Sequence, residues 1–342
     1  MDNTKQTPIS GLGKFGLIHH LTKDITDNQP STVKGIGDDA AVIQCGNMCQ
    51  VVSTDMFLEG VHFNLVYTPL KHLGYKVVVA AISDVYAMNA TPKQLLLSVA
   101  LSTKFGVESM DDLYAGVKMA CERYGIDFVG GDTSSSVTGL TINVTTIGQA
   151  EKSKITYRSG AKPTDLVCIS GDLGAAYMGL QLLERERIVF EANPNAKPQL
   201  DGYNYILQRQ LKPEARRDII ETLESIKVKP SAMIDVSDGL ASDLMHICSQ
   251  SSSGVRLYLE RIPIASETFK ICEEMNLDAV TAALNGGDDY ELLFTVPISE
   301  HDKIKGLDGF NIIGHITEED KGRYLVTPDG EEIELKAQGW KN

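Results

Sequence analysis

The stretch GIGDDAA at residues 35–41 decides the fold, and it is read together with STD at residues 53–55. Apolar runs at 40–43 and 50–52 predict two short strands. An acid pair precedes the first strand, and the Ser-Thr-Asp triplet ends the second. Glycines let a phosphate or a hydrated ion approach the backbone, and Mg²⁺ prefers carboxylate and hydroxyl oxygens. The two stretches therefore offer candidate magnesium ligands, namely Asp38, Asp39, Thr54 and Asp55.

The same pattern, an acid beside Gly or Ser at the end of an apolar segment, recurs along the chain. It includes Asp84, Asp132, Asp235, Asp238, Asp288 and Asp289. A Gly-Asp-Asp sequence is also ordinary turn chemistry, so each occurrence alone permits a structural interpretation. Turns accept Asn, Ser and Gly as readily as Asp, however. The repetition of Asp therefore favours a shared acidic site over scattered turns.

Length and charge limit the class of protein. The chain has 342 residues, of which 42% are hydrophobic and 23% charged, so we expect a packed globular protein of two domains. The formal net charge of -14 argues against general nucleic-acid binding, which needs clustered Lys and Arg. Phosphate ligands remain compatible with this charge, because carboxylates can hold them through divalent cations.

Cysteine usage and hydropathy indicate the compartment. The six cysteines form no C-x-x-C pair and no zinc-finger spacing, which favours reduced packing thiols. The first residues are polar without a signal-peptide core, and no apolar run is long enough to span a membrane. We therefore expect a cytoplasmic protein without membrane or nucleic-acid partners.

Hydrophobic periodicity predicts an α/β domain over residues 1–150. A helix is expected over 70–88, with Asp84 near its end and the helix breaker Pro92 beyond it. The other predicted elements are a strand at 94–101, a helix at 110–124, a strand at 126–129 that leads into GGDT, and a strand at 140–147.

A second α/β domain is expected over 151–342, beginning with a polar, basic linker at 151–165. Its predicted strands lie at 166–170, 232–236, 255–259 and 291–296, and its predicted helices at 175–183, 216–226 and 240–249. The glycine turn at 171–174 suits an anion site at a helix N-terminus and equally a tight turn. Residues 185–201 predict a surface loop or a helix extension, and Pro-Asp-Gly at 328–330 predicts a hairpin turn.

The acids are expected to converge on one cleft. Clustered carboxylates repel one another unless cations lie between them, so the pattern predicts bound Mg²⁺ and, with it, phosphoryl transfer from a nucleotide. Arg158 and Lys162 in the linker are candidates to neutralise phosphate charge, and the alternative for Arg158 is a solvated linker charge. His62 allows a structural role beside a ligand role, and Trp340 allows tail anchoring beside ring stacking.

Together these motifs resemble the thiamine-monophosphate kinases, a family of the ATP-binding superfamily that contains aminoimidazole ribonucleotide synthetase. The motifs, in chain order, are GIGDDAAVI, STDMFLEGVHF, ISDVYAMNATP, FVGGDT, TYRSGAKPTD, IDVSDGL, SDL and GGDDYELLF. GGDT is common to the superfamily, whereas STD with GVHF, GGDDYEL and the Gly-Trp tail are more specific. The resemblance implies a two-domain α/β (α+β) fold. Its N-terminal domain dimerises and binds ATP and Mg²⁺, and its C-terminal domain completes the active-site cleft.

The resemblance also implies an activity. It implies transfer of the ATP γ-phosphate to thiamine monophosphate, which gives thiamine diphosphate in the last step of that cofactor's biosynthesis. The transfer is expected to be direct and in line, assisted by several Mg²⁺ ions, without a covalent nucleophile among the residues. The expected partners are ATP, thiamine monophosphate and a second copy of the chain.

Site residues are carried over by motif. The implied Mg²⁺ ligands are Asp39, Ser53, Thr54, Asp55, Asp84, Asp132, Asp235 and Asp238. The implied ATP contacts are Tyr114, Gly131, Asp132, Arg158 and Ser237, and the implied substrate contacts are His62, Asp288 and Trp340. Two positions depart from the family pattern: Asp288 stands where Glu is usual, and Lys14 stands where Glu is usual in Gly-Glu-Phe.

Two other functions are compatible with the acids. The first is an ATP-dependent ligase or cyclase of the same superfamily, which would share the metal ligands but lack the contacts of His62 and Trp340 to a thiamine ring. The second is a non-catalytic module that binds cations or nucleotides. It predicts stabilisation by Mg²⁺ without turnover.

Overall fold

The computed structural model describes residues 11–336, and its N-terminal half is built on one mixed sheet. The elements are α1 (Gly13–Thr22), β1 (Thr32–Lys34), β2 (Ala41–Cys45), β3 (Met48–Leu58), α2 (Leu70–Ala87), β4 (Thr91–Leu101), α3 (Val107–Tyr124), β5 (Asp127–Ser135) and β6 (Thr141–Ala150). The six-stranded sheet has the order β1-β2-β3-β6-β4-β5. Neighbouring strands are antiparallel except β4 and β5, which are parallel, and β5 forms one sheet edge.

Helix α2 is buried along almost its whole length, because it packs on the sheet and on α3. Its Ala- and Val-rich sequence suits this position, since small side chains leave room for close packing. A Cβ atom at Gly74 would overlap the main-chain carbonyl of Leu113, and one at Gly116 would overlap that of Lys71. The two helices are thus in backbone contact, which fixes the position of α2 under the sheet.

The C-terminal half is built on a second sheet. Its elements are β7 (Leu166–Ser170), α4 (Ala175–Ala192), α5 (Asn204–Leu211), α6 (Arg217–Ser225), β8 (Ala232–Asp235), α7 (Leu240–Gln250), β9 (Ser253–Tyr258), α8 (Ser266–Met275), α9 (Ala279–Asn285), β10 (Leu292–Val296), α10 (His301–Ile304), β11 (Phe310–Glu318), β12 (Arg323–Val326) and β13 (Glu332–Glu334). The seven-stranded sheet has the order β13-β12-β9-β11-β7-β10-β8. Only β12 and β9 pair in parallel within it.

One hydrophobic cluster joins the two halves. Tyr75 and Val77 of α2 belong to the same cluster as Met233 of β8 and Phe294 of β10. Helix α2 also contacts β8 and α5 directly. The junction between the halves is therefore part of the core, and it brings the C-terminal turn of α2 beside the end of β8.

The structure confirms most of the predicted elements and shifts two motifs. Strand β3 continues to Leu58, so the STD triplet lies inside a strand instead of at its end. Strand β5 likewise runs through GGDT to Ser135. In both cases pairing with a neighbouring strand supplies backbone hydrogen-bond partners over the full length, which outweighs the local turn chemistry.

Several other expectations have clear outcomes. Helix α4 runs to Ala192, so the helix-extension alternative holds for the first part of 185–201. Strands β12 and β13 flank the predicted turn at 328–330. The two sheets separate between Ala150 and Leu166, and the proposed domain bounds of 1–150 and 151–342 stay a prediction. Among the described residues, no helix is long and apolar enough to cross a membrane.

We predict that Gly116→Ala destabilises the fold, because the added methyl group overlaps the Lys71 carbonyl across the α2–α3 contact. Overpacking of this kind costs about 1–3 kcal/mol, so the Tm falls in a thermal melt. Gly16→Ala is the matched control, since it lies in α1 and its Cβ meets only Leu12 at an ordinary 3.5 Å. Equal melting temperatures for the two variants would contradict the close-contact argument.

Candidate active site

Three acids from distant parts of the chain meet at the junction of the two halves. Asp39 precedes β2, Asp84 lies in the last turn of α2, and Asp235 ends β8. One carboxylate oxygen of each lies within 4.8 Å of the others. These three residues are called the acid cluster below. Their convergence depends on α2, because that helix places Asp84 between the other two elements.

Burial and mutual repulsion perturb the acid cluster. Burial raises the pKa of Asp39 to about 7, with a further rise from the nearby Asp235 charge and opposition from Arg158. Burial raises the pKa of Asp235 to about 6 and that of Asp84 well above its usual range, and neighbouring carboxylates add to both. A carboxyl whose pKa is higher in the folded protein than in the unfolded chain costs stability at neutral pH. When its carboxylates are ionised, the acid cluster therefore destabilises the fold unless a bound cation balances their negative charge.

Two serine hydroxyls orient the cluster. The Ser53 hydroxyl of β3 donates a hydrogen bond to Asp84 Oδ2. The Ser83 hydroxyl of α2 donates to Asp235 Oδ2 at 2.8 Å. The sequence predicted Ser53 as a site residue but missed Ser83. One feature of the sequence could have indicated Ser83. It directly precedes Asp84 in a strongly apolar helix, where a serine is expected to be buried and to need a hydrogen-bond partner.

Arg158 lies on the acid cluster and not in solvent. Its guanidinium donates to Asp39 Oδ1 from Nε at 3.0 Å and from Nη2 at 2.5 Å, and its backbone N–H donates to Asp38 Oδ1 at 3.1 Å. Lys34 forms an ion pair with Asp38 at 3.6 Å. The solvated alternative for Arg158 is therefore wrong. Of the two basic residues predicted in the 151–165 linker, Arg158 therefore pairs with an acid of the cluster.

A fully buried oxygen of the acid cluster lacks a hydrogen bond within the described part of the chain. Asp39 Oδ2 is buried and has no hydrogen-bond partner within residues 11–336. A buried, unpaired carboxylate oxygen is costly unless a metal or water binds it. Carboxylates together with a serine hydroxyl are the donor set that Mg²⁺ prefers. The residues present at the cluster therefore fit a magnesium ion.

Strand alternation divides the STD triplet between two faces of β3. Side chains two residues apart share a face, so Ser53 and Asp55 face the acid cluster and Thr54 faces away. Asp55 is close enough to raise the pKa of Asp84 and of Asp235. The Thr54 hydroxyl instead lies 3.2 Å from the hydroxyl of Thr145 on β6. The side chain of Thr54 is thus not brought to the cluster.

Two more acids lie near the cluster, Asp238 in the loop after β8 and Asp243 in the first turn of α7. Asp238 is close enough to raise the pKa of Asp235, and its backbone N–H donates to Asp243 Oδ2 at 3.2 Å. Burial raises the pKa of Asp243 well above its usual range, with Asp238 and Asp235 adding to it. Asp243 was not predicted as a site residue, although it lies in the quoted SDL motif. Ser237, a predicted ATP contact, is exposed at the tip of this loop.

The GGDDYEL motif places Asp288 on an unusual backbone. Gly287, Asp288 and Tyr290 have positive φ angles of 73°, 59° and 52°, so two residues with side chains adopt the left-handed region. The N–H of Asp288 donates to the Ser237 carbonyl at 3.0 Å, and that of Tyr290 donates to the Val236 carbonyl at 2.9 Å. The segment around Asp288, called the Asp288 loop below, is therefore hydrogen-bonded to the loop that follows β8.

Asp288 is charged and held at both oxygens. Oδ2 forms an ion pair with Lys76 of α2 at 2.9 Å, and Oδ1 accepts a hydrogen bond from the Tyr290 hydroxyl at 3.0 Å. Burial raises the pKa of Asp288, but the Lys76 charge outweighs it and holds the pKa below the usual range. His62 contributes in the same direction, so the two predicted substrate contacts lie near each other. Sequence reasoning missed Lys76.

The other acids of the motif are structural. Asp289 accepts from the N–H groups of Gly174 at 2.9 Å and Ala176 at 3.4 Å, at the start of α4. Glu291 forms ion pairs with Arg209, at 2.7 Å, and with Arg216. The turn at 171–174 thus takes an internal carboxylate, which supports the tight-turn alternative. Burial raises the pKa of Asp289 to about 7.

The structure bears on the prediction for His62 but not on that for Trp340. The Nδ1 atom of His62 accepts a hydrogen bond from the Leu58 N–H at 3.1 Å, and its ring meets Phe57 edge-on at 5.9 Å. This contact fixes the ring while the side chain stays exposed. Trp340 lies outside the described residues, so its stacking stays a prediction.

A separate cavity lies between α3 and β5. It has a volume of about 600 Å³ and includes Tyr114 and Phe128, whose rings meet edge-on at 6.0 Å. Farther along β5, Gly131 approaches the Leu97 carbonyl of β4 so closely that a Cβ would overlap it. Asp132 is exposed and accepts a hydrogen bond from the Thr133 N–H at 2.8 Å. Tyr114 of α3 therefore faces Phe128 of β5, Gly131 and Asp132 lie farther along β5, and Asp132 is not one of the three clustered acids.

Comparison with known proteins identifies the family. A family model described as AIR synthase related protein, N-terminal domain, matches residues 37–150. Thiamine-monophosphate kinase of Bacillus subtilis (strain 168) is 34% identical over 338 residues, which cover 97% of this chain and 99% of that protein. The protein of the same name from Aquifex aeolicus (strain VF5) is 34% identical over 331 residues, covering 97% and 98%.

A solved structure agrees with these relatives. AaThiL complexed with AMPPCP and TMP has a TM-score of 0.82 to this structure at 31% sequence identity, and the match covers 97% of this chain and 98% of that chain. The mixed α/β architecture with two sheets is therefore shared over nearly the whole length. From these relatives, and from the motifs that meet around the acid cluster, the chain belongs to the thiamine-monophosphate kinase family.

Proposed function

We propose that this protein transfers the γ-phosphate of ATP to thiamine monophosphate and releases thiamine diphosphate and ADP. The observation that carries the proposal is the buried acid cluster beside the Asp288 loop, in a chain of this family. The similar protein AaThiL is complexed with AMPPCP, an ATP analogue, and with TMP. A relative of the same fold is therefore known in complex with both molecules.

The acid cluster is the proposed magnesium site. Asp39, Asp84 and Asp235 would hold the ions, with Ser53 orienting Asp84 and with Asp55 and Asp238 near enough to add charge. Bound Mg²⁺ would neutralise charge on the transferred phosphoryl group. The roles of Thr54 and Asp132 as ligands are the least supported by geometry, since Thr54 faces away and Asp132 is exposed.

ATP is proposed to lie along β5. The cavity at Tyr114 and Phe128 suits a flat base, since aromatic rings stack on such surfaces. Gly131 and Asp132 lie three and four residues beyond Phe128, about 10–13 Å along a strand. Arg158 and Ser237 lie at the junction and would meet the phosphates.

Thiamine monophosphate is proposed to contact His62 and Asp288. The Asp288 carboxylate stays ionised and about 40% exposed, so it can attract the cationic ring system of the substrate. Arg158, and Mg²⁺ held by the acid cluster, would neutralise phosphate charge at the junction, which suits direct in-line transfer governed by positioning and electrostatics. No covalent phosphoenzyme is required in this arrangement.

A homodimer is proposed across the N-terminal sheet. Strand β5 is a sheet edge, and Phe128 and Val129 on it are 43% and 54% exposed. Met56 on β3 is 56% exposed. Unpaired edges with exposed apolar side chains favour pairing with another chain. This supports the implied dimer, whose test is the mass of the protein in solution.

We predict that the purified protein converts thiamine monophosphate to thiamine diphosphate only when ATP and Mg²⁺ are both present. Chromatographic detection of the product, with controls that omit each component, checks this. ADP formation without thiamine diphosphate would favour a ligase or cyclase of the same superfamily, and phosphoribosyl amidines would then be tested as acceptors. Mg²⁺-dependent stabilisation without any ADP would favour the non-catalytic module.

We predict that Asp84→Asn reduces the stabilisation that Mg²⁺ gives. The substitution removes one of the repelling charges, so the metal-free variant melts at or above the temperature of the unmodified protein. Added Mg²⁺ should stabilise the unmodified protein by about 2.7 kcal/mol at a hundredfold excess over Kd, and its Tm should rise accordingly. The Tm of Asp84→Asn should rise much less. Asp111→Asn, an exposed acid on α3, is the control. Equal Mg²⁺ shifts in all three proteins would rule out the metal assignment.

We predict that Tyr114→Ala raises the KM for ATP while leaving that for thiamine monophosphate near normal. Loss of one aromatic contact costs about 0.5–1.5 kcal/mol, or roughly up to tenfold in KM. Asp112→Ala, which is exposed on the same helix and does not line the cavity, is the control. An unchanged KM for ATP would place the base elsewhere.

A further inference from the structure

Lys76 is a buried lysine that the proposed function does not yet use. It lies on α2 with 6% of its surface exposed. Its Nζ donates to Asp288 Oδ2 at 2.9 Å and to the backbone carbonyl of Gln210 at 3.0 Å. Both acceptors belong to the C-terminal half, so this side chain reaches across the junction.

The two side chains of the Lys76–Asp288 ion pair differ in their exposure to solvent. The Lys76 side chain is 7% exposed, whereas that of Asp288 is 40% exposed. A buried ammonium group is costly without full pairing, so Lys76 has little freedom to leave its acceptors. The Asp288 carboxylate has a second anchor in the Tyr290 hydroxyl at 3.0 Å. Both carboxylate oxygens are thus held, while about 40% of the Asp288 side chain stays exposed to solvent.

The same helix fixes the acid cluster. Lys76 and Ser83 are seven residues apart on α2 and so lie on one face, and Ser83 donates to Asp235 at 2.8 Å. Asp84 follows directly. The rise from Lys76 to Asp84 is about 12 Å, since an α-helix advances 1.5 Å per residue. One rigid element therefore holds the phosphoryl-transfer end and the Asp288 end at a set separation.

We propose that Lys76 is a positioning residue for substrate recognition, fixing the Asp288 carboxylate relative to the acid cluster so that the site selects an acceptor with a phosphate at one end and a cationic ring at the other. This inference rests on the proposed function. Its physical basis is that a carboxylate held on a left-handed backbone by two bonds keeps one orientation. Removing the Lys76 bond frees the side chain to rotate away from the substrate.

Steady-state kinetics on Lys76→Met, Lys76→Arg and Lys71→Met test this. Methionine keeps an unbranched side chain, one heavy atom shorter than that of lysine, and removes the charge. Lys71 is an exposed lysine on the same helix. We expect Lys76→Met to raise the KM for thiamine monophosphate about tenfold or more, with the KM for ATP and kcat changed less than about threefold. Lys76→Arg should recover part of the loss, and Lys71→Met should behave as the unmodified protein.

Other outcomes overturn the inference. An unchanged or lower KM for thiamine monophosphate would mean that Lys76 only masks the Asp288 charge. Equal rises in the KM of both substrates would mean a general packing defect. If the unmodified protein forms no thiamine diphosphate, the proposed function fails and this inference fails with it. If that protein is active and Lys76→Met has a normal KM, only the inference fails.

A double variant keeps the test decisive if Lys76→Met does not fold. Lys76→Met combined with Asp288→Asn removes both charges, so neither partner is left buried and unpaired. If Lys76 acts through Asp288, the double variant has the same KM for thiamine monophosphate as Asp288→Asn alone. A further rise of about tenfold in the double variant would show that Lys76 acts by another route and would overturn the inference.

Discussion

Repulsion among buried carboxylates is the constraint on which the rest of the structure depends. Three acids from β8, from α2 and from the segment before β2 lie with ligand oxygens within 4.8 Å of one another. Burial and mutual charge raise the pKa of each. Such a cluster persists only if the surrounding fold is strong enough to hold it. Two hydrogen bonds from Arg158 to Asp39 Oδ1 compensate part of the charge, and the unpaired Asp39 Oδ2 is left to a cation.

Helix α2 supplies that strength. Backbone contact with α3 at Gly74 and Gly116 and a hydrophobic cluster shared with the C-terminal sheet leave it almost no freedom to move. Its apolar surface stabilises the fold, while Lys76, Ser83 and Asp84 on the same helix contact the C-terminal half or the cluster. The interactions that stabilise the protein are therefore the ones that set the geometry of the site.

The local sequence predicts the positions of the acids in the fold more readily than it predicts the role of each acid. Asp39, Asp84 and Asp235 were recognisable because each ends or begins an apolar segment, and the strands and helices around them follow hydrophobic periodicity. Period-two alternation in β3 could also have separated Thr54 from Ser53 and Asp55, had the strand's full length been clear. Lys76, by contrast, is one polar residue in an apolar helix. Its partner is 212 positions away in the chain, so no local pattern points to it.

The adjacent residues Asp288 and Asp289 show why motif letters alone do not assign roles. Their side chains leave the backbone in different directions because Asp288 has a φ of 59°, in the left-handed region. One carboxylate is then held by Lys76 at the junction, and the other accepts the first N–H groups of α4. The left-handed conformation costs energy in any residue with a side chain, and the hydrogen bonds from Asp288 and Tyr290 to the loop after β8 offset it. Because that loop directly follows Asp235, the geometry of the Asp288 loop is tied through the backbone to a member of the acid cluster.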